Sequence, residues 1–413
     1  MTSPSPISVR PLGSDELELY HRVNAASFGA PPDPAQIASK RPMIEPDRFY
    51  LAECDGEPCG GAGSFASELT VPGGTVLSVA AVSDVGVLAT HRRRGALSAL
   101  MRRQLNDLRD RGECVAVLHA SEAGIYRRFG YGAGTRWRQM SADGRRVTFR
   151  EDWPDPGGQT QILQRADARD LCATVHDRAR LARPGGLARD EAWWDVVLGD
   201  VPSFIGGEPR RLVMLHRDAE GVADGYAIYQ ITDDWSSGQA EHSLEVWELV
   251  GVDTAVELDL WRVLLGHDLV STVTGQIAVD HPLFDVATDP RQVRTELDQD
   301  LLWVRLLDVE RALTLRTYSG EGSVVFAVED PVFDDATGHV RLEVLPGAVR
   351  CGRTDDPADL TLGVGELGSG LLGGSSFRRL VRAGQVVETT PGAAAVADAL
   401  FGIDPLPWCW VRF

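Results

Sequence analysis

The segment that most restricts the fold runs from Val82 to about Leu105, where an apolar strand enters an arginine–glycine turn and continues directly into an amphipathic helix. The stretch VLSVAAVSDVGVLAT (76–90) reads as the strand, and GALSALMRRQLNDLRDRG (95–112) as the helix, closed by Gly112. The first N–H groups of such a helix have no partner within it and lie at its positive end, so they can cradle a pyrophosphate. Gly95 allows close backbone approach, and Arg92, Arg93 and Arg94 can neutralise phosphate charge. The glycine spacing fits neither G-x-x-x-x-G-K-[ST] nor G-x-G-x-x-G, which disfavours nucleoside triphosphates and dinucleotides. A plain surface turn carrying solvated arginines has the same spacing, so the residues alone leave both readings open.

The surroundings alternate in type. ISVRPL (7–12) reads as a strand, ELYHRVNAASF as a helix opened by Ser14-Asp15-Glu16, and 49–73 as a hairpin turning at Asp55-Gly56. CVAVLHAS (114–121) is a further strand, EAGIYRRFGYG a short helix, and TRWRQMSA a return strand. This order predicts a mixed α/β domain of about 145 residues. The Pro/Gly-rich EDWPDPGGQTQ (151–161) marks a boundary. Residues 162–290 repeat the pattern, but VGVDTAVELDLW has no arginine–glycine loop. The last third changes to short strands and turns, an α+β character, and ends in the aromatic tail PWCWVRF. A chain of 413 residues is long enough for two or three such cores.

Charge and composition exclude several classes. The net charge of −19 argues against nucleic-acid binding. No apolar run reaches the ~20 residues of a membrane span. The first residues lack the basic start and apolar middle of a secretory signal, so the expectation is a soluble cytoplasmic protein. Six cysteines, at 54, 59, 114, 172, 351 and 409, form neither a disulfide framework nor a zinc motif, and are expected to be free thiols. Lys40 is the sole lysine, which reads as a compositional signature.

Arg92-x-x-Gly95-x-Leu97 resembles the pyrophosphate motif of GCN5-related N-acetyltransferases (GNAT), [QR]-x-x-G-x-[GA], and departs from it at Leu97. VGVLATHRRRGALSALM, ASEAGIYRRFGYG and PWCWVRF, in that order, narrow the resemblance to the Eis (enhanced intracellular survival) family. The resemblance implies two tandem GNAT-like domains of mixed α/β sheets, a catalytic one at 1–148 and a degenerate one at 149–296. A sterol-carrier-like α+β domain would follow at 297–413. It further implies acetyl-CoA as co-substrate, no metal, a small-molecule amine acceptor of polyamine or aminoglycoside type, and a homo-hexamer built as a trimer of dimers.

The resemblance also assigns roles. Val85, Gly86 and Val87 would hold the cofactor and polarise its carbonyl. Arg93, Arg94, Gly95, Ala96, Leu97 and Ser98 would bind the pyrophosphate, and Ser121 and Glu122 would line the pantetheine arm. Tyr126 would be the general acid, protonated at neutral pH because a phenol titrates near 10. The carboxylate of Phe413 would be the base, and the aromatic tail before it is too apolar to be left in water. With no cysteine near the loop in sequence, transfer would be direct, in a ternary complex. Relatives place acids around the acceptor, often at the penultimate residue; here that residue is Arg412, with Asp84 as a partial substitute and Phe28 and Glu68 as further candidates. Two alternatives are an acetyltransferase for protein lysines or N-terminal amines, and a non-catalytic CoA- or lipid-binding module.

Overall fold

The computed structural model describes residues 7–198 and 211–413, which form three sheets of seven, seven and five strands. The first has the order Ile7–Pro11, Phe49–Cys54, Glu57–Thr70, Val76–Val87, Val115–His119, Leu302–Leu306, Gly132–Ala133. Its hairpin turns at Asp55 and Gly56, both with positive φ (57° and 81°), as a tight two-residue turn between right-twisted strands requires. Helix Leu17–Ser27 and a helix not foreseen from the sequence, Pro34–Lys40, precede the hairpin. The second is opened by Asp33, whose carboxylate accepts from the Ala35 N–H at 2.9 Å, with Pro34 at the first helical position.

Two strands lie in different sheets from those the sequence suggests. Arg136–Asp143, expected to close the first domain, pairs instead with Val270–Ala278 and Val293–Asp300 in the second sheet. Leu302–Leu306, expected in the C-terminal domain, pairs antiparallel with Val115–His119, Leu302 opposite His119 and Leu306 opposite Val115. The chain crosses over at Thr135, whose carbonyl accepts from the Leu301 N–H (3.0 Å) and whose hydroxyl accepts from that of Leu302 (3.0 Å). The limits at 148 and 297 therefore do not coincide with sheet edges. The physical reason is burial: every residue of Leu302–Leu306 is buried, and a strand apolar on both faces belongs in a sheet interior. The one charge in it, Arg305, is fully buried and paired with Asp330 at 2.8 Å.

The second sheet has the order Val293–Asp300, Arg136–Asp143, Val270–Ala278, His242–Gly251, Ala223–Thr232, Leu212–Arg217, Gln159–Leu163. The connection between helices Arg165–Ala182 and Glu191–Leu198 meets the first sheet where Leu187 bridges Leu69 and the Thr70 N–H donates to Gly186 O at 2.9 Å. The third sheet, five strands from Gly322 onward, packs with helices over Phe326, Phe377 and Phe401. All six cysteines are free, and no described helix is long and apolar enough to cross a membrane.

Candidate functional site

Val76–Val87 and Val115–His119 run parallel but pair only from Ala80–Ala116 to Val82–Leu118. Beyond Val82 a bulge intervenes, because Gly61 faces Gly86 whereas Gly63 faces Ser83, leaving Asp84 and Val85 opposite Ala62 alone. Asp84 sits in the left-handed region (φ 55°), its carbonyl accepts from Asn24 Nδ2 at 2.7 Å, and its carboxylate is held by Lys40 at 2.9 and 3.1 Å. The two strands part there and open a cleft of about 860 Å³. Gly86 lies on its wall, where the end of helix Leu17–Ser27 crosses so closely that a Cβ would run into Ser27 Oγ.

Helix Ala96–Asp110 begins at this cleft. Gly95 adopts φ 95° in the N-cap position and supplies no side-chain cap, so the first N–H groups of the helix have no side chain closing them off. Val85, Gly86, Val87, Arg93, Gly95, Ala96, Leu97, Ser98, Ser121 and Glu122 all line the cleft, together with Arg92 and Arg128. Leu97, the departure from the motif, rests against the apolar layer of Val82, Met101 and Tyr126, so its bulk is taken up by the core. Arg94 does not line the cleft: its guanidinium turns back to Cys54 Sγ at 3.9 Å. Cys54 and Cys59, remote in sequence from the loop, pack beneath it with Ala96 and Val87. Burial pushes the Cys59 thiol up, with the neighbouring Cys54 adding to the shift, so it is not activated as a nucleophile.

Tyr126 does not itself line the cleft: it is buried in the short helix Ala123–Tyr126, next to the lining residue Ile125 and edge-on to Tyr131 at 6.0 Å. Burial raises its pKa; Ser121, which lines the cleft, hydrogen-bonds the phenol and offsets part of that shift. The hydroxyl therefore stays protonated throughout the neutral range.

The tail is docked. Trp408, Cys409, Trp410 and Val411 are buried, and the Phe413 ring lies 4.6 Å from that of His119, the last residue of Val115–His119 and two before Ser121. His119 Nε2 contacts Val411 O at 3.0 Å and its Nδ1 contacts Leu301 O at 3.2 Å. Burial, with Arg412 nearby, lowers the His119 pKa to about 4, against the pull of the two carbonyls. The sequence reading passed over His119; its signal was a polar residue closing the apolar run CVAVL. Arg412 is not spent on the cleft, since its guanidinium bonds Gln276 Oε1 and stacks on Trp137 at 5.2 Å. Of the candidates for the acceptor wall, Phe28 lines the cleft and is 59% exposed. Glu68 instead pairs with Arg180 at 3.1 Å toward the second domain, and Asp84 is neutralised by Lys40. Among the described residues no three His, Cys, Asp or Glu side chains converge as a metal site.

The acetyltransferase (GNAT) domain family matches residues 8–134 and a second acetyltransferase (GNAT) family matches 185–306, while the sterol carrier protein domain family matches 309–410. The chain is 36% identical over 415 residues to an uncharacterized N-acetyltransferase of Streptomyces avermitilis, covering 99% of each. It is 34% identical over 343 residues to N-acetyltransferase Eis of Mycobacterium tuberculosis, covering 81% of each. The crystal structure of Eis1 from Mycobacterium abscessus superposes with a TM-score of 0.86 at 36% identity, covering 98% of this chain and all of that one. A GCN5-related N-acetyltransferase from Anabaena variabilis shares the fold at 17% identity (TM-score 0.83, covering 99% of this chain and all of that one). With two GNAT domains, a sterol-carrier-like domain and these relatives, the chain belongs to the Eis family of N-acetyltransferases.

Proposed function

We propose that this enzyme transfers an acetyl group from acetyl-CoA directly to the amine of a small polyamine- or aminoglycoside-like molecule bound beside the cleft. The observation that carries the proposal is the opening between Val85–Val87 and Ser121–Glu122, floored by an uncapped helix N-terminus. Its residues fit the donor: free N–H groups at Ala96–Ser98 with Arg93 for the pyrophosphate, an open strand edge at Val85–Val87 for the pantetheine and thioester, and Ser121 and Glu122 opposite. The donor supplies an activated acetyl group. The carboxylate of Phe413 takes the proton from the attacking amine, and Tyr126 gives one to the departing thiolate. The buried, unactivated Cys59 supports direct transfer over a covalent acyl-enzyme. A hexamer, a trimer of dimers, belongs to the same proposal. It predicts a solution mass near six times 44.8 kDa.

Free CoA release with kanamycin, spermidine and a lysine peptide tests the function. Turnover is expected with the small amines and should exceed that with the peptide. A preference for the peptide would move the acceptor to protein lysines, and no turnover with any amine at saturating acetyl-CoA would overturn the assignment.

A further inference from the structure

The second domain contains the same structural opening as the first. His242–Gly251 and Val270–Ala278 pair in parallel from His242–Val270 to Val246–Gly275 and then separate, with helix Thr254–Leu265 following the first of them. Here protein occupies the gap. Arg183, Leu249, Glu257, Trp261, His281 and Trp408 surround a space of about 10 Å³, at most one water. Trp408 belongs to the C-terminal tail, so the tail itself closes the opening.

The bonds that hold the tail come largely from this domain. The Leu406 N–H donates to Asp280 Oδ2 at 2.6 Å, its carbonyl accepts from Arg183 Nε at 3.0 Å, and Arg183 Nη2 binds Asp280 Oδ1 at 2.9 Å, which closes a ring of three groups. The Trp408 N–H donates to Pro184 O at 2.8 Å. Gly185 must be glycine because a Cβ there would meet Trp408 O at 2.8 Å. Four residues on, Arg412 is held by Gln276 and Trp137.

We infer that the second domain has turned its strand opening into a seat for the tail, with Arg183, Asp280 and Gln276 as positioning residues that set where the Phe413 carboxylate lies. The inference rests on the base role proposed for that carboxylate. A terminal group has one covalent tether, so its position depends on the bonds made by the residues before it. A general base must stay within hydrogen-bonding reach of the proton it takes, and a displacement of about 1 Å costs on the order of 10²-fold in rate. Arg183, Asp280 and Gln276 do not line the donor cleft, so their loss reaches the chemistry through the tail.

Three measurements on the full-length enzyme test this: kcat, the KM for acetyl-CoA, and the rate at which carboxypeptidase releases Phe413 from the native protein. Asp280→Ala should release Phe413 faster and lower kcat by about 10-fold or more, up to the 10²-fold expected of a misplaced group, with the acetyl-CoA KM unchanged. Asp280→Asn keeps an acceptor for the Leu406 N–H and should recover most of kcat. Should Asp280→Ala fail to fold, Gln276→Ala, which removes only the partner of Arg412, takes the same measurements with the same expectation. Native rates of both release and turnover would overturn the seat. Faster release with unchanged kcat would overturn the positioning role, and so would a parallel loss of acetyl-CoA binding, since that cleft lies in the other domain. One glycine added after Phe413 separates the two readings: full turnover there defeats the base, while the release rates still judge the seat.

Discussion

The two acetyltransferase domains part the same pair of parallel strands and put opposite things in the gap. In the first, the strands separate after Val82 around a cleft of about 860 Å³; in the second, they separate after Val246 around about 10 Å³. The helix starts differ to match. Gly95 leaves the first helix uncapped, whereas Asp253 caps the second, its carboxylate accepting from the Val256 N–H at 3.0 Å. That cap satisfies an N–H a phosphate would use and places a negative charge where one would bind. One domain therefore leaves its helix end open to the cleft, and the other caps that end and fills the gap beside it with the tail.

The sharpest way to break this division is to remove chemistry from the first domain without disturbing its shape. Tyr126→Phe deletes one hydroxyl from a buried ring and should lower kcat by about 10²-fold or more. The melting temperature should hold, since a single hydrogen bond contributes about 1 kcal/mol. Steady-state CoA release and calorimetry read the two; unchanged kcat would remove the acid role.

The reverse experiment opens the second domain. Trp408→Ala empties a buried site between two domains and should destabilise the enzyme by about 3–5 kcal/mol. Titration calorimetry should nevertheless find one acetyl-CoA per chain, because Asp253 still closes the helix end. A second equivalent would show that Trp408 alone blocks the vestigial site.

Acid should act on the tail before it acts on the cleft. The folded pKa of His119 is depressed to about 4, so its contribution to stability is present above the ordinary histidine value of about 6.5 and is lost as pH falls toward about 4. Carboxypeptidase release of Phe413 should accelerate through that window, and His119→Gln should flatten the dependence. Tyr126 titrates in the opposite sense: with its pKa raised, it places no limb on kcat below about pH 10.

The legible parts of the sequence were those whose signal is local. The strand, turn and helix from Val82 to Leu105 are one continuous segment with its own periodicity and a glycine, and eight of the nine residues in it that the family resemblance singled out line the cleft; Arg94 turned away. The aromatic tail announced its burial by composition. What could not be read was pairing at a distance. Arg136–Asp143 and Leu302–Leu306 each look like ordinary strands, and nothing in either says they cross between sheets at Thr135. Lys40 passed as a compositional oddity, yet it is buried against Asp84, forty-four residues away. Arg412 looked like a charge reversal at the acceptor because its partners Gln276 and Trp137 lie in another sheet.

The smallest expected effect bears most directly on why the domains differ. Asp253→Ala removes a cap and should cost about 1 kcal/mol, while replacement by glycine should cost only a few tenths. Neither should create a donor site, because Trp261 and Trp408 still line a gap with room for one water. Gly95→Asp is the complementary change. It adds an acid at the open helix end, in a left-handed position that strains any side chain, and opposes the charge of a pyrophosphate. Its acetyl-CoA affinity should fall much further than its stability. If Gly95→Asp bound acetyl-CoA normally, the helix end would not be what holds the donor, and the contrast between the two caps would lose its meaning.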